Sequence, residues 1–420
     1  MAIRWVSRSR LSMQRLGFCK AVLASSALAR TPGQMADILR TRLEEQRFSV
    51  PYDEALAALL KELDKTTELN PGISISLQKL YIYGHPSMVI PGHPSRTGWL
   101  SRLGFNEYVE YLPHGLGLVT GSYEPTDMGL VLSQGLMSPD QHEAFSHPST
   151  SNPLILGLGE QIFFLYNLLA VDGDFLLPFC GELLNRYGNG SFNYLDAGSL
   201  VPDLIDDLLN RFSGSAYTQS DRRQLQTLEK AKQQILKNIE GKAEEQGSGS
   251  RREQTTIPRL EWLVDIGAAE RVESRTWRFT EAGLKLTELT QAYEAEMAKR
   301  YPENVMKDAI LDSWFSGFVS RAYSDKVFQN VGKEQFLHFL WPAYSQLVGV
   351  GGYSLLRPLL LYANILGMNN DQSLFLEYEE ATKLLEETYQ LDPSLLQYTI
   401  DRYNTDYQIR IERTPETSER

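Results

Sequence analysis

The chain has 420 residues, of which 42% are hydrophobic, so it can bury a sizeable core and is long enough for about two to four domains. Its formal charge is 41 basic minus 53 acidic residues, or -12, so most of the surface should repel phosphate and a nucleic-acid site would have to be local. The 2 cysteines exclude a disulfide framework and a four-thiolate zinc site. No apolar run reaches the roughly 20 residues of a membrane-spanning helix, so we expect a soluble, cytoplasmic protein with no membrane partner.

The amino-terminal segment differs in charge from the rest of the chain. Residues 1–34 hold 6 of the 41 basic residues and no acid, which leaves 35 basic and 53 acidic residues, or -18, for the remainder. Four interpretations stay open: a basic arm on the DNA backbone, an Arg- and Ser-rich transit peptide, a secretory signal interrupted by Lys20, and an unstructured extension. Residues 1–50 are therefore predicted to be a basic extension and linker.

Residues 51–140 are predicted to combine helices with a β-hairpin. The predicted elements are helices over 52–64, 74–83 and 96–103 and strands over 108–112 and 118–123. The second of these helices has a pattern that also fits a β-branched strand. Ser95 is a suitable N-cap for the third helix, and Gly104 is a suitable end because glycine adopts left-handed backbone angles without cost. The turn-forming residues 113–117 then connect the two strands.

Residues 151–246 are predicted to form a mainly helical region. The expected helices cover 161–170, 175–187, a segment that opens at Pro202, and 221–245. A turn at Asp172-Gly173-Asp174 separates the first two helices. The last helix is long and charged, and its apolar residues recur on one face, which indicates an exposed helix with a packed stripe. The Gly-Ser segment at 247–250 is predicted to be a flexible linker.

Residues 251–300 are predicted to form a second unit of helix and hairpin. The elements are a helix that begins near Pro258 and ends at Gly267, a hairpin over 268–280 and a helix over 281–300. In this hairpin Val272, Trp277 and Phe279 are expected to point inward. The hairpin is shorter than the one in the first unit.

The remaining residues, 301–420, are predicted to form a helical C-terminal region. Helices are expected over 312–323, 333–340, 355–366 and 377–389. A last helix over 392–403, followed by the alternating strand 407–411, would make a third unit of the same kind. The Trp-Leu and glycine landmarks of the first two units are missing there, so this third unit is only one of the alternatives.

A repeated pattern links the first two units. Residues 96–107 and 259–270 share Arg, Trp-Leu, an aliphatic residue, Gly and Glu at the same offsets. Each copy is followed by a second echo, TDMGLVL from Thr126 and TEAGLKL from Thr280. The order of helix, glycine stop, hairpin and closing helix resembles the winged helix-turn-helix domain. The resemblance implies a mainly α fold with small β-wings: two winged-helix units with helical middle and C-terminal regions.

The winged-helix resemblance also implies DNA binding. In such domains the third helix lies in the major groove and basic residues of the wing contact phosphate. The candidate base-reading residues of the first unit are Ser95, Arg96, Thr97, Ser101 and Arg102. The second unit is expected to expose Arg259 beside Glu261 and Asp265, which would repel the DNA backbone. Its phosphate-contact candidates are Arg251, Arg252, Arg259, Arg271, Arg275 and Arg278, so this unit would at most clamp phosphate.

Two functions follow from the resemblance. The first is a non-enzymatic protein that binds double-stranded DNA, as a regulator or as the DNA-engaging subunit of a multi-component genome-maintenance or antiviral defence complex. The alternative is an adaptor that uses its winged helices to dock other proteins or a second copy of itself, without DNA contact. A charge of -12 favours the alternative. Exposed, clustered arginines would favour DNA binding, and arginines paired with Glu or Asp would favour the adaptor.

The sequence contains no complete catalytic or metal-binding motif. His85, His93 and His147 each precede Pro-Ser, but HExxH, CxxC and histidine pairs at helical spacing are missing. Asp172 and Asp174 resemble half of a calcium loop without its closing glutamate. The Gly-rich segment at 349–352 lacks the Lys-Ser/Thr of a P-loop. No catalytic residue, metal or cofactor is therefore predicted.

Overall fold

The computed structural model describes residues 4–5, 16–17, 19–20, 23, 116–119, 124–137, 156–213, 219–240, 251–273, 275–298, 315, 318–319, 322–323, 328–348, 352–369, 374–400 and 406–413. Over these residues the protein is mainly helical with small β-sheets, which confirms the mainly α part of the expected fold class. The predicted base-reading residues, Ser95, Arg96, Thr97, Ser101 and Arg102, lie outside the described residues. So do the 247–250 linker and the three His-Pro-Ser segments.

Shortly before the central helix, the structure describes an isolated β-bridge and a short helix. Val119 and Pro125 pair across an isolated antiparallel bridge. Helix α1 (Asp127–Leu130) follows and continues into a π-helical segment (Val131–Leu136). This bridge pairs Val119, in the predicted second strand, with a residue that follows that strand. The predicted first strand at 108–112 and residues 113–115 of the predicted connection lie outside the described residues.

The central element is helix α2 (Leu158–Tyr187), which is 30 residues long and buried at most positions. The turn predicted at Asp172-Gly173-Asp174 is wrong, because the helix continues through these residues. Aspartate favours turns when its carboxylate bonds to nearby backbone, but here Asp172 and Asp174 bind Arg259 and Arg4. Helix α2 is long and apolar enough to cross a membrane, yet 89% of its most apolar window is buried inside the protein.

Residues 158–298 form what we call the middle unit. After α2 come β1 (Phe192–Asn193), α3 (Tyr194–Ser213), α4 (Gln219–Ile239), α5 (Arg251–Asp265), β2 (Ala269–Glu273) and β3 (Thr276–Phe279). The strands make an antiparallel sheet in the order β1-β3-β2, with Phe192 opposite Trp277. Helices α6 (Glu281–Leu284) and α7 (Leu286–Ala298) then return the chain to α2.

Residues 329–413 form what we call the C-terminal unit. It contains β4 (Gln329–Asn330), a 3-10 turn (Lys333–Gln335), α8 (Phe336–Leu347), β5 (Ser354–Leu355), α9 (Leu356–Asn369), β6 (Leu374–Phe375), α10 (Tyr378–Leu391), β7 (Leu396–Ile400) and β8 (Tyr407–Ile411). Strands β4 and β6 pair in parallel, and the antiparallel sheet has the order β5-β8-β7. The helices predicted at 333–340, 355–366 and 377–389 correspond to α8, α9 and α10. The helix predicted at 392–403 is wrong, because β7 occupies residues 396–400.

The two units share one connectivity. In each, a helix leads into a two-residue strand, a second and a third helix follow, and a β-hairpin comes after the third. In each sheet the short strand pairs with the second strand of the hairpin, as the orders β1-β3-β2 and β5-β8-β7 state. The difference lies between the second and third helices of this plan, where the middle unit has α4 and the C-terminal unit has β6. Helix α4 is therefore an insertion relative to the C-terminal unit.

The second sequence echo is a real structural repeat. The Thr280 hydroxyl donates to Gly267 O at 2.6 Å and accepts from Gly283 N at 3.1 Å. The Thr126 hydroxyl makes the same two bonds, to Gly117 O at 2.6 Å and from Gly129 N at 3.1 Å. The equivalent glycines have left-handed backbones, with φ of 74° at Gly267 and 68° at Gly117. The counterpart of Gly267 is therefore Gly117, and the alignment of Gly267 with Gly104 is wrong.

The described part of the amino-terminal segment belongs to the core. Leu16, Cys19 and Lys20 are fully buried. The Lys20 ammonium contacts the Glu160 carboxylate at 2.8 Å, and Arg4 donates to Asp174 at 3.2 Å. Two of the basic residues that suggested an exposed arm or a leader are thus neutralised by acids of α2. These residues are part of the fold and not of an extension in front of it.

Candidate interaction surfaces

Helix α5 is the third helix of the shared connectivity, and the sequence predicted that it exposes Arg259 beside Glu261 and Asp265. Its residues 255–263 are all buried, because α5 packs against α3, α4 and β2. Only residues 251–254 and Val264 are partly exposed. A helix that reads bases must place exposed side chains in a groove about 12 Å wide. Helix α5 offers no such face, and the expectation that Arg259, Glu261 and Asp265 are exposed on it is wrong.

Arg259 is an internal residue. Its Nε and Nη2 donate to the two oxygens of Asp172, each at 2.7 Å, and its Nη1 donates to Thr255 O at 2.7 Å. The guanidinium also lies 4.5 Å from the centroid of the Phe175 ring. Both members of this ion pair are fully buried. Arg259 therefore ties α5 to α2 and has no access to a phosphate group.

Arg271 is also buried, contrary to expectation. It donates to Glu261, whose Oε1 accepts a second bond from the Trp277 indole at 2.9 Å. Strand β2 turns Ala269 and Arg271 inward and leaves Val272 43% exposed. The prediction had placed Val272 inside, so it was displaced by one residue along the strand, and such a shift exchanges the two faces. Inside the unit, the Glu261 carboxylate balances the Arg271 charge.

Of the remaining arginine candidates, Arg275 and Arg278 are exposed beside acids, and Arg251 and Arg252 are half-buried. Arg275 donates to Glu253 at 2.8 Å, and Arg278 donates through Nε to Glu270 at 2.8 Å. The Arg252 guanidinium lies 5.9 Å from the Tyr194 ring centroid, and Arg251 is half-buried at the start of α5. Each exposed arginine of the hairpin thus has a carboxylate beside it, so the hairpin is not a concentrated positive site.

A basic face does exist on α4, where the sequence analysis named no site residue. Arg223, Lys230 and Lys237 are exposed and are spaced by seven residues, so they share one face of the helix. Leu228, Ala231 and Ile235 are buried on the opposite face. The seven-residue spacing of the charges was visible in the sequence. It was overlooked because only the apolar stripe of this helix was analysed. We call these three residues with Gln226 and Gln234 the α4 stripe.

The C-terminal unit presents an apolar and acidic surface. Leu391 is 70% exposed, Ile400 51% and Tyr389 38%, and the Tyr389 ring contacts the Tyr398 ring edge-on at 5.2 Å. Burial, and after it the charge of Glu386, raises the pKa of Tyr398. Tyr389 and Tyr398 are in contact, Ile400 lies on the same face of β7 as Tyr398, and Leu391 is the last residue of α10. We call these four residues the C-terminal surface. They combine exposed apolar groups with the negative charge of Glu386 near Tyr398.

Helix α10, which holds half of this surface, is strongly acidic on its solvent side. Its acids and the acid at its N-cap are Glu377, Glu379, Glu380, Glu386 and Glu387, against the single base Lys383. Helix α10 occupies the same place in the C-terminal unit as α5 in the middle unit. An acidic face repels DNA phosphate, so this third helix is not suited to enter a DNA groove either.

A small cavity lies between α2 and α9. Its volume is about 30 Å³, and its polar lining includes Arg357, Asn364 and Tyr378. The Asn364 side chain donates to Leu376 O at 2.9 Å and accepts from Leu376 N at 3.0 Å, and the Arg357 guanidinium lies 4.4 Å from the Tyr378 ring centroid. A cavity of this size holds roughly one water molecule. It is too small for an organic substrate.

Within the described ranges, no group of three or more His, Cys, Asp and Glu side chains could hold a metal ion. Burial raises the pKa of the Cys19 thiol and of the Cys180 thiol, so both stay protonated and unreactive.

The chain matches no protein-family model, no curated protein and no solved structure.

Proposed function

We propose that the middle and C-terminal units are winged-helix domains and that the protein is a non-enzymatic adaptor subunit of a multi-component assembly. The fold proposal is supported by the connectivity of helix, short strand, two helices and hairpin, and by the sheet orders β1-β3-β2 and β5-β8-β7. The Thr280 turn that follows the hairpin of the middle unit also has a copy at Thr126, so part of the same motif recurs before the middle unit. In this proposal the units serve packing and docking instead of base reading.

The observation that carries the adaptor proposal is that neither α5 nor α10, the third helices of the shared connectivity, exposes a basic face. Helix α5 is covered by α3 and α4, and α10 exposes glutamates. Each described arginine that the sequence proposed for phosphate contact, in α5 and its hairpin, is buried, half-buried or beside a carboxylate. Base reading by Ser95, Arg96, Thr97, Ser101 and Arg102 of the first unit stays a prediction, because those residues lie outside the described ranges.

The C-terminal surface is the proposed docking site. Exposed aromatic and aliphatic side chains are the anchors that protein interfaces use, and Tyr389, Leu391 and Ile400 are among the most exposed large apolar residues described. Complementary charge steers association and excludes wrong partners. The partner should therefore present an apolar patch with Lys or Arg at its rim.

The test is binding of the purified protein to the products of the genes adjacent to its own, each supplied separately. The double variant Leu391→Glu/Ile400→Glu should lose the complex. The control Leu195→Glu/Val272→Glu changes two apolar residues of the middle unit, each 43% exposed, and should keep it. Light scattering after size exclusion will show whether a second copy is the partner. Equal loss in both variants, or a preference of more than about 100-fold for one DNA sequence over random duplex, would refute the adaptor proposal.

A further inference from the structure

We propose that the α4 stripe, Arg223, Gln226, Lys230, Gln234 and Lys237, is a binding site for the phosphate backbone of nucleic acid. The inference does not depend on the adaptor function, since it concerns another surface and another class of ligand. It assigns to the inserted helix a contact that neither third helix is built to make.

The geometry of α4 aligns the stripe. With 100° per residue, Arg223, Lys230 and Lys237 fall within a narrow sector of the helix. That sector is opposite to the buried residues Leu228 and Ile235. Fourteen residues of α-helix measure about 21 Å, so the stripe is a straight row of three charges about 10 Å apart. Such a row can follow an extended polyanion.

The charges of the stripe, unlike those of the hairpin arginines, are not paired with carboxylates in the part of the chain that the structure describes. None of Arg223, Lys230 and Lys237 forms an ion pair with a carboxylate among the residues that the structure describes. The nearby acids of α3 contact α4 on the side opposite to Arg223, where Lys232 binds Asp206 and Asp203 is also close. Glu229 of α4 accepts from Gln233 at 2.9 Å. The stripe is therefore a local basic surface on an acidic protein.

The composition of the stripe favours nucleic acid over protein as its ligand. Protein interfaces place aromatic or aliphatic anchors at their centre, and the stripe contains only Arg, Lys and Gln. These are side chains that contact phosphate and sugar oxygens in protein–DNA complexes. Because the contacts are to the backbone, binding should be independent of base sequence.

The expected binding is weak and depends on salt. Neutralising three phosphates of a duplex gives a slope of log K against log salt of about -2.7. The affinity should then fall roughly 40-fold between 50 and 200 mM salt. A base-reading domain would in addition prefer its own site over random duplex. These two numbers separate backbone contact by the stripe from sequence recognition elsewhere in the chain.

The experiment measures fluorescence anisotropy of a labelled 30-base-pair random duplex with the full chain. The stripe variant Arg223→Glu/Lys230→Glu/Lys237→Glu should lose at least ten-fold in affinity. The matched control Arg186→Glu/Lys333→Glu/Lys383→Glu makes the same change in net charge at exposed ion pairs elsewhere and should lose much less. The milder variant Arg223→Gln/Lys230→Gln/Lys237→Gln tests the site if the Glu variant does not fold. Circular dichroism confirms folding of each variant.

Three results would overturn the inference. The first is that the wild type does not bind duplex at 50 mM salt. The second is equal loss in stripe and control variants, which would indicate general repulsion by net charge. The third is normal DNA binding by the stripe variants. If these variants lose a protein partner instead, the stripe is a protein-binding surface. If duplex binding is lost in Arg96→Glu/Arg102→Glu instead, DNA contact belongs to the first unit.

Discussion

Replacement of Arg259 by methionine should destabilise the protein far more than an equal change at the surface. The substitution leaves the Asp172 carboxylate without the two guanidinium bonds at 2.7 Å that now balance its charge. It also removes the bond from Nη1 to Thr255 O. Both partners are fully buried, and loss of one member of a buried pair costs about 3–5 kcal/mol because the other charge stays uncompensated.

The matched control is Arg275→Met. Arg275 makes an ion pair of similar length, 2.8 Å to Glu253, but more than half of its side chain is exposed. Exposed pairs contribute about 0–1 kcal/mol, so this control should unfold at nearly the wild-type denaturant concentration. Urea unfolding followed by circular dichroism measures both differences, and unchanged m-values are needed for the comparison.

The double variant Arg259→Met/Asp172→Leu completes the test. If the cost of Arg259→Met comes from an unpaired charge, removal of the Asp172 carboxylate should recover most of the stability, because apolar residues can replace a buried ion pair with little loss. A cost below about 1 kcal/mol for Arg259→Met, or no recovery in the double variant, would refute the assignment of Arg259 as a buried structural residue. It would return Arg259 to the candidates for phosphate contact.

Three further outcomes are expected. Gly283→Ala should cost more than about 2 kcal/mol in urea unfolding, because a Cβ there would lie 1.7 Å from a backbone carbonyl oxygen, whereas Gly157→Ala, which meets nothing closer than 3.8 Å, should cost much less. Burial raises the pKa of Asp406, so its carboxyl group binds a proton more tightly in the folded state than in the unfolded state. The contribution of Asp406 to the free energy of unfolding should therefore fall as pH rises from about 4 through the raised pKa. Asp406→Asn should remove this contribution to the pH dependence. The thiols of Cys19 and Cys180 should react with a disulfide reagent only as fast as the protein unfolds, and rapid reaction of the folded protein would contradict their burial.

Features that depend on neighbours in the chain could be predicted from the sequence. The apolar residues of α4, α9 and α10 recur with the period of a helix, and these elements lie where the pattern placed them. The Thr-Gly echo was recognised from the letters that residues 126–132 and 280–286 share, and the bond between its Thr and Gly joins residues only 3 apart. Local spacing carries information about such bonds, so the second echo was aligned correctly.

Features that depend on distant partners could not be predicted. The partner of Arg259 is 87 positions away, and that of Arg4 is 170 positions away. Nearby residues in the chain do not reveal such distant partners, so Arg259 and the amino-terminal segment were both predicted to lie at the surface. The same holds for Asp172-Gly173-Asp174. Its composition is typical of a turn, and only its distant partners explain why it is helical. The first echo was misaligned because it matched Trp-Leu and Gly by spacing alone. The bond from Thr126 to Gly117, which identifies the equivalent glycine, is visible only in the structure.

The inserted helix explains how one connectivity can have different uses in the two units. In the middle unit α4 covers α5, which buries the face that a winged helix would offer to DNA. The covering helix then brings its own outer face, and that face is basic. In the C-terminal unit β6 stands at this position, and α10 keeps an acidic outer face toward solvent. The opposite charges of the two faces mean that they attract different ligands. A polyanion is repelled by α10 and attracted by α4. A basic protein partner is attracted by α10 and repelled by α4.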